Sequence, residues 1–360
     1  MSFLNKKIFS VDPEIFGVDL SDLSIKVMQL ERQGKIEKIR SYAIAEIPAG
    51  YIEDGKIMNK EQVSAIIRET IKKAGPQKIK TNKVICSLPE SKAFLRIISI
   101  PKIEETEAAE AVKWEMEANI PMPIEQVYYD WQFLEAKNKN KQNVLTAAVS
   151  KDIVDDFIEV LEGAGLEVYG LEVESVASAR SLVKQKDDKG EKNVTLIVDL
   201  GAQRTSFIIV DGGVPYFTSS IPFSSEGIND TISKRLNITS AEAEKIKIAH
   251  GIESGIDNPV FEAVKFLLEN LIHEIEKTMD FYGEINKDNS EVKNIILCGG
   301  GSNMRGLIPY MTKRLNREIE LGDPWTNLRM GDKLPIVNKE SSARYSTVIG
   351  LALRALDYGN

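Results

Sequence analysis

Two cysteines and two histidines are all that 360 residues provide. That supply fits neither a Cys/His zinc site nor a disulfide framework, and Ser-His chemistry has only His250 and His273 to draw on. Cys86 in VICSLP and Cys298 in IILCGGG lie within or at the end of apolar runs, so both read as reduced, buried small hydrophobes. Basic residues are not in excess. The 46 lysines and arginines against 54 acidic residues leave a net charge of -8, which removes the electrostatic footprint of a generic nucleic-acid binder. No apolar run approaches the roughly 18–20 residues of a membrane-crossing helix. The opening MSFLNKKIFSVDP lacks the apolar core of a secretory signal, so a cytoplasmic location is expected. What is present is an ordinary globular composition, 42% hydrophobic, with length for about two domains at ~150 residues each.

One pattern occurs twice, half a chain apart. Phe16-Gly17-Val18-Asp19-Leu20-Ser21 runs on to Ser24-Ile25-Lys26-Val27, and Leu196-Ile197-Val198-Asp199-Leu200-Gly201 runs on to Arg204-Thr205-Ser206-Phe207. Each is an apolar strand, an aspartate, a small turn residue and a second strand, so each predicts a β-hairpin with an acidic residue near its turn. Between them, residues 184–193 are polar and breaker-containing and read as a linker. From Phe94 to Ser150 the pattern is strand, helix (Glu104 to Ile120), then a hairpin of Val127–Ala136 and Gln142–Val149 across a turn at 137–141, a small inserted subdomain. Ala108, Ala111, Val112, Met116 and Ile120 share one stripe of its helix. Trp114 points away from that stripe, to pack on a neighbouring subdomain or to line a partner groove. The stretches Ala241–Ala249 and Phe261–Tyr282 predict helices, the second with Phe266, Leu267, Asn270, Leu271 and Ile275 on its core side.

A third signal is a buried strand opening into Gly299-Gly300-Gly301-Ser302-Asn303, with helix-like Leu307 to Leu315 behind it and Ser302 or Asn303 as the expected cap. Glycines let backbone approach a ligand and N–H groups there can meet phosphate, but the spacing is neither Walker nor Rossmann. Two facing lobes with one acidic hairpin each would enclose a Mg-triphosphate. Turn groups at Ser21, Ser24 and Lys26 and at Gly201, Ala202, Gln203, Arg204 and Thr205 would hold phosphates. Asp19 and Asp199 would hold the metal through its waters. Arg204 has a second reading, a salt bridge on the lobe surface.

The two hairpins, the glycine turn and Ala243-Glu244-Lys245-Ile246-Lys247 resemble the motifs of the actin-like ATPase superfamily that includes actin, MreB and FtsA. By that resemblance Glu244 and Lys247 approach the ribose and adenine of ATP. The likeness is greatest to the PilM family of type IV pilus assembly proteins, through Leu88-Pro89-Glu90-Ser91, Val112-Lys113-Trp114-Glu115, Asn119-Ile120-Pro121-Met122-Pro123, Tyr128-Tyr129-Asp130-Trp131 and Gly322-Asp323-Pro324-Trp325. It implies an α/β, two-lobed actin-like ATPase fold with ribonuclease H-like cores and an inserted strand-helix-strand-strand subdomain. The implied layout is a first lobe at 14–93, the insertion at 94–150, a return to the first lobe at 151–183, the linker, a second lobe at 194–335, and a final return at 336–360. It also implies ATP and Mg2+ in the cleft. The implied partner is the cytoplasmic N-terminal peptide of a PilN-like inner-membrane protein, with Arg96 and Trp114 as groove candidates and Phe94–Ile100 as the edge for strand addition. Pilus motor ATPases and self-association are further contacts it allows, and the membrane is reached only through the partner, on the inner face.

The first hairpin departs from the superfamily's Asp-x-Gly, with Ser21 in place of glycine. Glu174-Ser175-Val176-Ala177-Ser178 resembles the FtsA turn whose acidic residue faces the attacking water, which makes Glu174 the candidate for water positioning and Glu172 its rival. Slow or absent turnover is expected, so enzymatic activity stays open. Two alternatives stand: an FtsA-like membrane-tethered filament protein, whose terminal amphipathic helix has no counterpart in LALRALDYGN, and a sugar or metabolite kinase, for which no local pattern selects a base.

Overall fold

The computed structural model describes residues 14–134, 140–184, 194–253, 258–285, 291–329 and 342–358. Residues 185–193 of the expected linker, residues 137–139 of the expected hairpin turn and the lobe boundary near Pro335 lie outside the described residues. The first half begins with an antiparallel meander, β1 (Phe16–Ser21), β2 (Ser24–Gln33) and β3 (Ile36–Glu46). A two-stranded hairpin, β4 (Ile52–Glu53) and β5 (Lys56–Ile57), leads to α1 (Lys60–Lys73), whose first turn is capped by Asn59 accepting from the Gln62 N–H at 3.2 Å. The short β6 (Gly75–Pro76) borders β3, and β7 (Lys83–Leu88) lies parallel to β1.

Next come β8 (Ala93–Pro101), α2 (Glu105–Asn119), β9 (Val127–Phe133) and β10 (Lys141–Ser150). Then α3 (Lys151–Gly163), β11 (Glu167–Val173) and α4 (Glu174–Leu182) complete the half. In α3, Ile153, Val154, Phe157, Val160 and Leu161 recur at helical spacing and are buried, which fixes the face laid on the first sheet. That sheet has the order β11-β7-β1-β2-β3-β6.

The second half repeats the plan. β12 (Val194–Leu200), β13 (Thr205–Asp211) and β14 (Val214–Ile221) form a meander, followed by α5 (Ser225–Leu236), α6 (Ser240–His250) and α7 (Pro259–Ile285). β15 (Val292–Cys298) is parallel to β12, α8 (Leu307–Leu315) follows, and β16 (Ile319–Leu321) is parallel to β15. α6 opens on a capping box, Thr239 with Glu242. The order β14-β13-β12-β15-β16 matches β3-β2-β1-β7-β11, with the same strand directions. The sequence repeat is therefore a repeat of topology, and the two aspartates occupy equivalent places in it.

The last helix, α9 (Ser346–Asp357), returns to the first sheet. A Cβ on Gly17 of β1 would stand 2.9 Å from the Leu351 Cβ, so a glycine there lets the helix lie close on the strand. The inserted unit joins the other sheet: β14-β8-β10-β9 extends the second sheet to eight strands, with Phe217 opposite Arg96. Phe94–Ile100 is thus no free edge. β8 pairs with β10 along its length and borders β14, and the outer strand is β9. Ala108, Val112 and Met116 of α2 are buried over this sheet, whereas Trp114 is 70% exposed and packs on no neighbouring subdomain. Phe266 of α7 is also 70% exposed. The buried stripe runs through Val264, Leu268, Leu271 and Ile275 and leaves Phe266 off the core face.

Candidate functional site

β1 and β12, in different sheets, each bring an aspartate to the cleft between the lobes, near enough for the charge of Asp19 to act on Asp199. Asp19 sits opposite Lys26 in the hairpin register, and Lys26 Nζ donates to its Oδ2 at 2.8 Å. The Ser87 hydroxyl donates to Asp19 Oδ1 at 3.2 Å, with Ser21 Oγ at 3.4 Å, while Ser87 Oγ accepts the Leu20 N–H at 3.1 Å. Asp19 is thus a buried carboxylate that accepts from one ammonium and two hydroxyls. Across the cleft, burial and the charge of Asp19 push the Asp199 carboxyl up to about 6, against the opposing pull of Lys26 and the Cys298 thiol.

Glu174, the first residue of α4, is pushed well above the usual carboxylate range, first by burial and then by Asp19 and Asp199. Its Oε2 accepts the Glu90 N–H at 3.3 Å. Burial also raises Glu90, although the Ser175 and Thr218 hydroxyls oppose the shift. Glu172 is occupied elsewhere. Arg180 donates to it twice, at 2.7 and 2.5 Å, and Arg354 reaches it at 3.2 Å, a structural anchor facing away from water chemistry.

Asp199 and Glu174, both with raised affinities for protons and both beside Asp19, form a site that a cation would relieve. Among the described residues no group of three or more Asp, Glu, His or Cys side chains is placed to ligate a metal directly. Carboxylate oxygens are the donors that an oxygen-loving cation such as Mg2+ takes. The glycine turn closes the cleft from the side. Gly299 has φ +80°, and a Cβ there would run into the Asp199 carboxylate and the Leu200 carbonyl. A Cβ on Gly300 would meet nothing within 4 Å, so that backbone faces open space beside the carboxylates.

The expected cap is not formed. Gly300–Asn303 makes a short 3-10 turn, Ser302 Oγ donates to the Gly299 carbonyl at 2.8 Å, and α8 starts later behind Gly306. Three glycines and a hydroxyl that folds back on them complete a turn before a helix can begin. Gly301 presses toward Leu200, and Asn303 is exposed at the end of the turn.

In the second hairpin the Gly201 N–H closes the turn on the Arg204 carbonyl at 2.9 Å, and Ala202 is exposed at its tip. The Thr205 hydroxyl is spent on the Phe223 carbonyl at 2.9 Å. The Arg204 guanidinium donates to Ser220 Oγ at 3.1 Å and pairs with Asp54 Oδ1 at 3.3 Å. Gln203 hydrogen-bonds Glu226 on α5. Lys247 is buried and donates to Ser225 Oγ at 2.7 Å. Burial lowers its pKa against the pull of Glu244 and Glu226, and Glu244 stays exposed one turn away. Ser24 faces Ser21 across the first turn. The structure thus gathers Asp19, Lys26, Asp199, Glu174 and the glycine turn at one point, with Glu244 and Lys247 to one side on α6.

Sequence reasoning missed Ser87, Glu90, Asp54 and Lys92, all contributed by the first lobe. The only signal was their place in or beside LPESK and the EDGK turn.

A second concavity of about 300 Å³ lies in the inserted subdomain where it meets α3. Lys113, Ile124, Glu125, Val127, Tyr128, Tyr129 and Lys151 line it, with Lys151 Nζ 5.5 Å from the Tyr128 ring. Trp114 is adjacent in sequence but not part of the lining. Arg96 is elsewhere, stacked over Phe94 and Phe217 at 5.2 and 6.0 Å.

Residues 17–356 match the family model described as type IV pilus assembly protein PilM. Among solved structures, a PilM-PilN type IV pilus biogenesis complex superposes with TM-score 0.81 at 26% identity, over 96% of this chain and 99% of that one. MreB 5 of Spiroplasma citri bound to AMPPNP superposes with TM-score 0.51 at 15% identity, covering 94% and 95%, a likeness of fold. The cell division protein FtsA of Buchnera aphidicola is 27% identical over 228 residues, 55% of this chain and 52% of the relative, so the chain spans about half the length of the curated relatives it matches. With the doubled topology and the inserted unit in place, the chain belongs to the PilM family of type IV pilus assembly proteins and has the actin-like ATPase fold.

Proposed function

We propose that this pilus assembly protein is a nucleotide-binding docking platform, which takes Mg-ATP in the interlobe cleft and the N-terminal cytoplasmic peptide of a PilN-like membrane protein in the groove of the inserted subdomain. The observation that carries the docking half is the groove itself: it lies beside β9, the outer strand of the eight-stranded sheet, and three aromatic or aliphatic side chains of that strand line it. An extended peptide there has main-chain partners on an outer strand and alternate side-chain contacts with Val127, Tyr128, Tyr129 and Ile124. In this reading the membrane is reached through that partner; no helix among the described residues is long and apolar enough to cross one. Self-association and contact with pilus motor ATPases belong to the same reading.

For the nucleotide half, bound Mg-ATP supplies a charged triphosphate between the hairpins. Asp19 and Asp199 would hold the metal through its waters, turn N–H groups around Ser21, Ala202 and Gly300 would meet phosphate, and Glu244 and Lys247 would face the nucleoside. Glu174 positions water. Its raised proton affinity favours the protonated carboxyl, which cannot take a proton from water, in keeping with slow hydrolysis.

Calorimetry of the full chain with Mg-ATP, and separately with a synthetic N-terminal PilN-type peptide, tests both halves. Wild type binds both ligands. Asp199→Ala loses nucleotide affinity and keeps the peptide. No peptide binding, with or without Mg-ATP, would sink the platform reading.

A further inference from the structure

We infer that the β4–β5 hairpin is a clasp across the mouth of the cleft and that Asp54, at its tip, sets how long a nucleotide stays bound. This rests on the nucleotide reading above. The hairpin belongs to the first lobe, yet its tip touches both phosphate hairpins. The Gly55 N–H donates to Asp22 Oδ1 at 2.8 Å, and Asp22 lies in the turn between β1 and β2. Asp54 Oδ1 pairs with Arg204 at 3.3 Å, and Arg204 lies in the turn between β12 and β13. Lys92, just ahead of β8, holds the other oxygen, Oδ2, at 2.7 Å. Three connections thus converge on one tip, and the Asp54–Arg204 pair crosses from lobe to lobe.

The geometry is built for that position. Asp54 has φ +48° and Gly55 φ +75°, a tight turn that aspartate and glycine tolerate, and a Cβ on Gly55 would sit 2.7 Å from Pro89. The tip is therefore pinned against the segment that carries Lys92. Arg204 is steadied by Ser220, so its guanidinium is presented to Asp54 and does not swing free. For a nucleotide to leave, the turns of the two lobes must part, and parting them breaks the Arg204–Asp54 pair. The side chains are partly exposed, 32% for Arg204 and 50% for Asp54, so the clasp is weak and salt-sensitive, a modulator of release.

Asp54→Asn tests this with the backbone kept, because asparagine also accepts positive φ. Release of a fluorescent ATP analogue from the Mg-bound full chain, measured by stopped flow at low salt, should be about two- to five-fold faster in Asp54→Asn than in wild type. Arg204→Gln should match it, and the double variant should be no faster than either single one. Dyes placed on the two lobes should report a wider distance distribution in the nucleotide-free variants. Additive effects of the two substitutions would mean that Arg204 serves phosphate directly and would overturn the clasp, as would unchanged release in Asp54→Asn. If wild type binds no nucleotide, the nucleotide reading fails, and the dye distances alone then decide whether the hairpin holds the lobes together.

Discussion

Asp199 shows how much a single carboxylate can hold against its surroundings. Its pKa in the folded, metal-free protein is about 6 against an ordinary 3.8, because burial and Asp19 penalise its charge. A raised folded value means that this group favours folding fully below pH ~4 and that the contribution fades as pH rises through about 6. Metal-free protein should therefore melt higher at pH 5 than at pH 7. Asp199→Asn should flatten that slope and stabilise the apo protein at pH 7 by about 2 kcal/mol, while removing nucleotide binding. Thermal melts of both proteins across pH 5–8 in EDTA check this, and an unchanged slope in the variant would show that Asp199 is ordinary in solution. The motif V-D-L put this residue near a hairpin turn, and β12 carries it there. Its charge state depends on Asp19, which lies half the sequence away, and no local pattern carries that information. Arg204 is similar: the sequence marked it as a cation at a turn, and which anion it meets follows from a hairpin some 150 residues earlier.

At the level of elements, the strands and helices with strong periodicity were legible. The helix expected over Glu104 to Ile120 spans Glu105–Asn119, and the strand expected over Phe94 to Ile100 spans Ala93–Pro101. Helix packing was not legible, because it depends on contacts such as that of α9 with α4. A Cβ on Gly350 would overlap the Ala177 carbonyl, and Arg180 of α4 donates to the Gly350 carbonyl at 3.0 Å. Gly350→Ala should cost about 1–3 kcal/mol by forcing the helices apart, seen as a lower urea midpoint. Gly283, within α7, meets nothing within 4 Å, so Gly283→Ala should stabilise the protein by about 0.5–1 kcal/mol and raise the midpoint. Equal effects of the two substitutions would mean that helix propensity, and not the crossing, decides at Gly350.

On the scale of the whole molecule, the inserted unit behaves as an extension of the second sheet, although the chain enters and leaves it from the first lobe. The reading of 94–150 as a separate small subdomain followed from its neat strand-helix-strand-strand pattern. The join to β14 is one ladder pair between residues 121 positions apart, Phe217 and Arg96, which local pattern cannot reveal. Side chains reinforce that join. Arg96 lies over Phe94 and Phe217, and Phe217 packs on Phe281 of α7 with ring centroids 4.7 Å apart. The strand β9 beside the groove and the strands of the second lobe are thereby joined in one sheet. A cation over an exposed aromatic contributes about 0.5–1 kcal/mol. Arg96→Ala should accordingly speed amide exchange in β8 and β14 by about two- to five-fold under native conditions. Strands β12 and β13, buried in the sheet's centre, should keep wild-type protection. Peptide affinity measured on the same variant should stay near wild type, because Arg96 lies outside the groove lining. Loss of peptide binding with unchanged exchange at β8 would instead return Arg96 to the groove and leave the two sheet segments joined by backbone alone.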